Sequence, residues 1–402
     1  MAHFYLCWEL GAGLGHAARL KSIALPLQAR GHRVSVMLRD LVQPRRLLQG
    51  SGIDMLQAPV WLHRTAGLPQ VQASLAEILL AVGYLDADAL AGLCEGWRGL
   101  FRQGRPDLVI ADYAPTALLA ARSLGIRSAA VGTGFQIPPA AQALPPLFLG
   151  EAEPPSAARL RATEARVLDS ANRVLALHGA PPLAQACALL RGDEALLCTW
   201  PELDHYGRNG GGPWLGPGLA PPAAGEAAWP EGDGPCVFAY LRASQAGSRE
   251  ALQALLRQGC RVLCYMPEVA SGAPAPVESG LLRFAPAPVP MPSALAGCEL
   301  VVCHAGEATT VQALLAGRPL LMLPLSAESY LMARRVVQMG AGINASGAPG
   351  PQDWDGFVRD LLRVPGYRDA AGAFARRHAG FDAARQAEAL ADRFEEMVLK
   401  RR

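Results

Sequence analysis

Apolar residues fall in short unbroken runs punctuated by glycine or proline, alternating with stretches that carry one apolar face. The first run, Phe4 to Trp8, leads into Gly11-Ala12-Gly13-Leu14-Gly15-His16. Leu20, Ile23, Ala24 and Leu27 then recur at i, i+3, i+4 and i+7, which predicts a helix, and Val34 to Leu38 predicts a second strand beyond Gly31. The unit repeats with a strand over Asp107–Asp112, a helix over Thr116–Leu124 and a strand ending at Val131. Fully apolar strands alternating with helices imply a parallel sheet covered on both faces, an α/β class.

Between Pro201 and Pro235 the periodicity vanishes into loop chemistry, including Asn209-Gly210-Gly211-Gly212-Pro213 and Pro221-Pro222. The alternation resumes with strand Cys236–Leu241, helix Ser248–Gln258 and strand Arg261–Met266. Further on come strand Leu300–Cys303, helix Thr309–Ala316, strand Leu320–Leu323, helix Ala327–Met339 and an amphipathic helix over Ala384–Arg402. Two doubly wound, Rossmann-like domains are predicted, at 1–217 and 236–383, with a linker at 218–235 and residues 384–402 returning to the first domain. Such sheets bind ligands at their carboxyl ends, so both domains are expected to face one cleft.

Composition narrows the function. The chain of 402 residues is 51% hydrophobic and 18% charged, ample for two buried cores. A net charge of +2 argues against a nucleic-acid binder, which carries a basic stripe. The cysteines show no C-x-x-C spacing, and Cys7, Cys236, Cys264 and Cys303 sit in apolar runs, so neither a metal site nor a disulfide framework is expected, and a reducing cytoplasm fits. The first residues lack the basic region of a signal peptide, and no apolar stretch approaches the ~18 residues needed to span a bilayer.

Three places carry candidate chemistry. The glycine loop at 11–15 could cradle a phosphate, but it reads G-x-G-x-G with His16 where a dinucleotide fingerprint needs its last glycine. His16, at the carboxyl end of a strand, is a candidate general base, or else a histidine that merely caps a helix. Asp112 ends another strand of the same sheet and could orient that imidazole, or else cap the helix that follows. The third is Val301-Val302-Cys303-His304-Ala305-Gly306-Glu307-Ala308-Thr309, a strand breaking through small residues into a helix whose N-terminus would hold an anion. Thr309 and Gln312 are spaced for a capping box.

The run from His304 to Gly342 resembles the donor-binding signature of family 1 glycosyltransferases, the group with UDP-glucuronosyltransferases, plant glucosyltransferases and bacterial antibiotic glycosyltransferases. His304-Ala305-Gly306-Glu307-Ala308-Thr309 matches its start, and Gln312 to Pro319, Pro324, Glu328 and Gly340-Ala341-Gly342 follow in register. Gly15-His16, Arg30 to Val34 and Trp214 to Pro217 resemble other family segments. The resemblance implies a GT-B fold and an inverting, metal-independent transfer from a UDP- or dTDP-sugar to a small acceptor, and no cofactor is expected. The Leu/Ala-rich stretches around residues 60–95 and 135–190, with Trp61, Tyr84 and Trp97, suggest an apolar or lipid-like acceptor, or else are core. The resemblance also implies His16 as base and Asp112 as its orienter. His304, Gly306, Ala308 and Thr309 would lie at the diphosphate, Glu328 at the sugar, Val289 at the base, and Arg242 and Ser244 near phosphate. Ala305 and Ala308 replace family glycines, and Ser329 replaces a glutamine. A monomeric or homodimeric bacterial enzyme of the cytoplasm is expected. A sugar-nucleotide epimerase and a non-catalytic sugar-nucleotide binder remain open alternatives.

Overall fold

The computed structural model describes the chain except residues 70, 141–142, 148–153, 209, 211, 220–224, 347–350 and 401–402. Parts of the expected linker and of the loop stretch around Asn209 lie outside the described residues. The chain divides into two compact units. One comprises Met1–Phe148, Ala152–Ala220 and Asp382–Arg402, and the other Pro221–Phe381.

The first unit is built on a parallel sheet of β1 (His3–Trp8), β2 (Arg33–Leu38), β3 (Asp54–Gln57), β4 (Leu108–Asp112), β5 (Ser128–Gly132) and β6 (Glu194–Leu197). Its strand order is β3-β2-β1-β4-β5-β6. The central strands are buried on both faces, which is why they read as continuous apolar runs. Helix α1 (Leu14–Ala29) connects β1 to β2, and α2 (Pro115–Ser123) connects β4 to β5. Leu20, Ile23 and Leu27 of α1 are buried in the core against Phe4, Leu6 and Val36. At the end of α1 the Gly31 N–H donates to the Gln28 carbonyl and the His32 N–H to that of Leu27. This closing turn needs the positive φ of 80° that Gly31 supplies.

The C-terminal helix Ala383–Leu399 belongs to this first unit. Its Leu390, Ala391, Phe394 and Met397 enter the core. Outside, Arg30 pairs with Glu388, Asp392 and Glu395 at 2.5–2.7 Å.

The second unit holds β7 (Cys236–Tyr240), β8 (Arg261–Tyr265), β9 (Leu282–Phe284), β10 (Leu300–Cys303), β11 (Leu320–Met322) and β12 (Gly342–Asn344). The order β12-β11-β10-β7-β8-β9 is that of the first unit over again, so both sheets reverse direction between their first and fourth strands. Helices α3 (Ser248–Arg257), α4 (Glu307–Leu315) and α5 (Ala327–Gln338) follow β7, β10 and β11. Open parallel sheets bind ligands at the carboxyl edge where the order reverses. In the first unit that edge lies between β1 and β4, and in the second between β7 and β10.

Candidate active site

At the reversal point of the first sheet, Trp8 of β1 stands in register with Asp112 of β4. The chain turns after Trp8 through the glycine loop into α1, whose third residue is His16. The side chains meet: His16 Nδ1 lies 2.9 Å from Asp112 Oδ1. Arg19, one turn along α1, donates from Nη1 to Asp112 Oδ2 at 2.8 Å. Asp112 is completely buried. Burial by itself would raise its carboxyl, but the Arg19 guanidinium and then the His16 ring outweigh that and hold it below the usual carboxylate range. The helix that follows takes no cap from Asp112; its N-cap is Ala114.

Both oxygens of Asp112 are thereby committed, and Nδ1 of His16 with them. His16 Nε2 has no partner among the described residues. The ring is stacked on Trp8 (centroids 5.1 Å apart, 16° between planes) and lies 6.5 Å from the Tyr113 ring. Tyr113 continues to Phe135 at 6.1 Å and Phe135 to His205 at 5.8 Å, a row of rings along the carboxyl ends of β1, β4 and β5. Gly11 permits the close approach of His16: a Cβ there would lie 2.5 Å from Nε2, at a φ of 80° that side chains avoid.

Glu9, next to Trp8, is buried with one oxygen accepting the Thr116 N–H at 2.8 Å. Burial pushes its carboxyl up to about 7, only partly offset by its bonds to Thr116.

The reversal point of the second sheet assembles the other candidates. His304 directly follows β10 and meets the Tyr240 ring at the end of β7, edge to face, at 4.8 Å. Ala305 turns the chain with a φ of 56°, and Gly306 is the N-cap of α4 without a side-chain cap. A Cβ on Gly306 would sit 3.5 Å from His304 Nε2, so the ring lies alongside the helix N-terminus. Burial, and then the Arg242 cation, lowers the pKa of His304 below the ordinary value. Arg242 lies in the loop after β7, 3.6 Å from Glu268. That loop also carries the exposed Ser244, and its Gln245 side chain bonds the Leu323 carbonyl just past β11. Since β10 lies between β7 and β11, the loop spans the end of the strand that presents His304.

Two expectations about α4 and α5 change. The capping box of Thr309 and Gln312 does not form, because the helix begins two residues earlier, at Glu307; Gln312 Nε2 instead donates to the Ala308 carbonyl. Thr309 and Ala308 therefore lie within the first turn. A reciprocal box does form at α5, between Ser326 and Ser329. Ser329 Oγ accepts the N–H groups of Leu325 and Ser326, both at 2.9 Å. The hydroxyl at the expected glutamine position is consumed by the backbone. Glu328, its neighbour in the first turn of α5, is half-buried. Val289 lies between β9 and the helix Met291–Gly297.

Residues 280–380 match the model of the erythromycin biosynthesis protein CIII-like C-terminal domain. The PGL/p-HBAD biosynthesis rhamnosyltransferase of Mycobacterium bovis (strain BCG / Pasteur 1173P2) is 29% identical over 301 residues, covering 69% of this chain and 65% of the relative. The elloramycin glycosyltransferase ElmGT of Streptomyces olivaceus is 32% identical over 136 residues, 30% of this chain and 33% of that protein. The solved glycosyltransferase VinC in complex with dTDP aligns over 99% of this chain and 100% of its own, with a TM-score of 0.65 at 19% identity. The chain has the GT-B fold, with two Rossmann-like parallel-sheet units.

The chain spans about two thirds of the length of the mycobacterial relative. Its match to the CIII-like domain contains β10, α4, β11 and α5, the elements that present His304 and Glu328. Arg19 is the site residue that sequence reasoning missed. Its place three residues after His16, on the same helical face, was the available signal. Among the described residues no group of three or more His, Cys, Asp or Glu side chains is arranged to hold a metal, and no helix is long and apolar enough to cross a membrane. All nine cysteines are buried thiols.

Proposed function

We propose that the chain transfers a sugar from a UDP- or dTDP-sugar to a hydroxyl of a small, largely apolar or lipid-like acceptor, with inversion at the anomeric carbon and without a metal. The observation that carries this reading is the His16–Asp112 bond, which fixes one ring nitrogen and leaves Nε2 uncommitted at the carboxyl edge of the first sheet. The acceptor O–H gives its proton to Nε2 as its oxygen bonds the anomeric carbon. The bond from that carbon to the diphosphate breaks with its electron pair leaving on the nucleotide. The buried Asp112 carboxylate stabilises the imidazolium and holds its orientation. A single displacement from the face opposite the leaving group inverts the centre. The N-terminus of α4, with His304, Gly306, Ala308 and Thr309, receives the diphosphate. Arg242 and Ser244 flank it, Glu328 meets the sugar and Val289 the base.

The rhamnosyltransferase and antibiotic glycosyltransferase relatives, and the dTDP bound to VinC, support a nucleotide-sugar donor. On this reading the protein works in the bacterial cytoplasm as a monomer or homodimer. The test is turnover with a panel of nucleotide sugars and hydroxylated apolar acceptors, the product configuration being read by NMR. His16→Ala should lose about 10²–10⁴-fold in rate while keeping donor affinity. A retained configuration, or full turnover in His16→Ala, overturns the mechanism. Nucleotide-sugar binding without transfer to any acceptor would make the chain a binder.

A further inference from the structure

We infer that the glycine loop ahead of α1 is an anion subsite, filled by a phosphate or carboxylate that the acceptor carries beside its reacting hydroxyl. α1 is a sixteen-residue helix whose first turn holds no acidic residue and receives no side-chain cap, so its leading N–H groups are left to a ligand. The approach is open: a Cβ on Gly13 or on Gly15 would meet nothing within 4 Å. The exposed Arg39 bonds the Gly11 carbonyl, which places a guanidinium at the rim of the loop.

The second, independent sign of a ligand is His16 itself. Its side chain is more than nine-tenths buried, with Nδ1 spent on Asp112. Nε2 has no partner among the described residues and points into the loop, 2.5 Å from where a Gly11 Cβ would stand. When that nitrogen takes the acceptor proton, the new cation sits at the positive end of α1, with Arg19 and Arg39 nearby. The one ionised carboxylate bonded to it, Asp112, is already shared with Arg19. An anion in the loop supplies the missing countercharge and tightens as the proton moves. The substrate class is therefore a hydroxy acid or a phosphorylated hydroxy compound, apolar elsewhere.

That the anion belongs to the acceptor rests on the proposed function, which gives the donor diphosphate to α4. The occupancy of the loop can be tested without turnover, so its failure is distinguishable from failure of the transfer assay. Full-length protein is carbethoxylated with diethyl pyrocarbonate, and labelling of His16 is followed by peptide mass spectrometry with and without inorganic phosphate. Phosphate should slow labelling of His16 several-fold in the wild type and in Gly15→Ala. Gly15→Asp should abolish that protection, because it sets a carboxylate in the first turn, a placement the helix dipole favours. Protection should survive in His304→Ala. No protection of His16 by phosphate, protection unchanged in Gly15→Asp, or protection lost in His304→Ala would each overturn the inference. Protection by dTDP but not by phosphate would assign the loop to the donor and overturn it as well.

Discussion

Tyr113 and Ala305 stand in matching situations in the two units, each directly after a proposed site residue, Asp112 or His304, and each in the left-handed region, at φ 51° and 56°. Only three non-glycine residues do so among those described, and two of them abut the candidate chemistry. Such strain persists where the surroundings over-determine the backbone, and it turns the chain sharply enough for the preceding side chain to project from the sheet edge.

Ala305→Gly should remove that strain where the resemblance expects glycine. A left-handed alanine costs about 1–2 kcal/mol, against which the greater freedom of unfolded glycine takes back part. The variant should be more stable by about 0.5–1 kcal/mol, read from the denaturant midpoint. A loss of stability would show that the buried methyl contributes more than the strain removes.

Glu9→Gln should stabilise the protein at alkaline pH. The folded pKa of about 7 lies above the ordinary 4.5, so the folded state favours the neutral acid. That contribution is whole below about pH 4.5 and is lost as pH rises through 7. Glutamine keeps an acceptor for the Thr116 N–H and never ionises. Urea unfolding at pH 8 should find the variant more stable by about 2–3 kcal/mol, shrinking to under about 1 kcal/mol at pH 5. An equal difference at both values would assign the effect to packing.

Arg19→Met should destabilise by about 3–5 kcal/mol, because it leaves Asp112 buried with one charge partner removed. Asp112→Asn should cost a comparable amount, since it leaves the buried Arg19 guanidinium without its carboxylate. The two midpoints in urea check this; a small loss in either variant would mean that the buried pair contributes little.

His304→Ala should weaken UDP and dTDP binding about tenfold or more, the loss of one hydrogen bond to a charged group at about 1.5–3 kcal/mol. Isothermal calorimetry measures it directly. Unchanged affinity would remove His304 from the donor site.

The interior of both sheets was legible and the rim was not. Strands such as Leu300–Cys303 are buried on both faces and announce themselves as apolar runs. The strands left unread, β3, β6, β9 and β12, are the four edges. They are three or four residues long, and every residue of β3 is exposed, so no hydrophobic period marks them. His16 and Asp112 could be paired from their positions at strand ends. Arg19 reads as one polar position in an amphipathic helix until the fold brings Asp112 beneath it. The helix start at Glu307 was misplaced because Gly306 caps it with backbone alone, which no side-chain signature reveals.

The return of the C-terminal helix to the first unit gives the chain an order of assembly. Leu390 and Phe394 complete a core whose other members, Phe4 and Leu20 among them, leave the ribosome hundreds of residues earlier. The second unit is in effect inserted into the first, and its contiguous segment can close while the earlier one still waits for its last helix. Until release, the nascent first unit presents an apolar groove where Phe394 will lie, a natural landing place for a chaperone. A premature stop before Ala383 would leave that groove open for good, although every residue placed in the candidate site would be present.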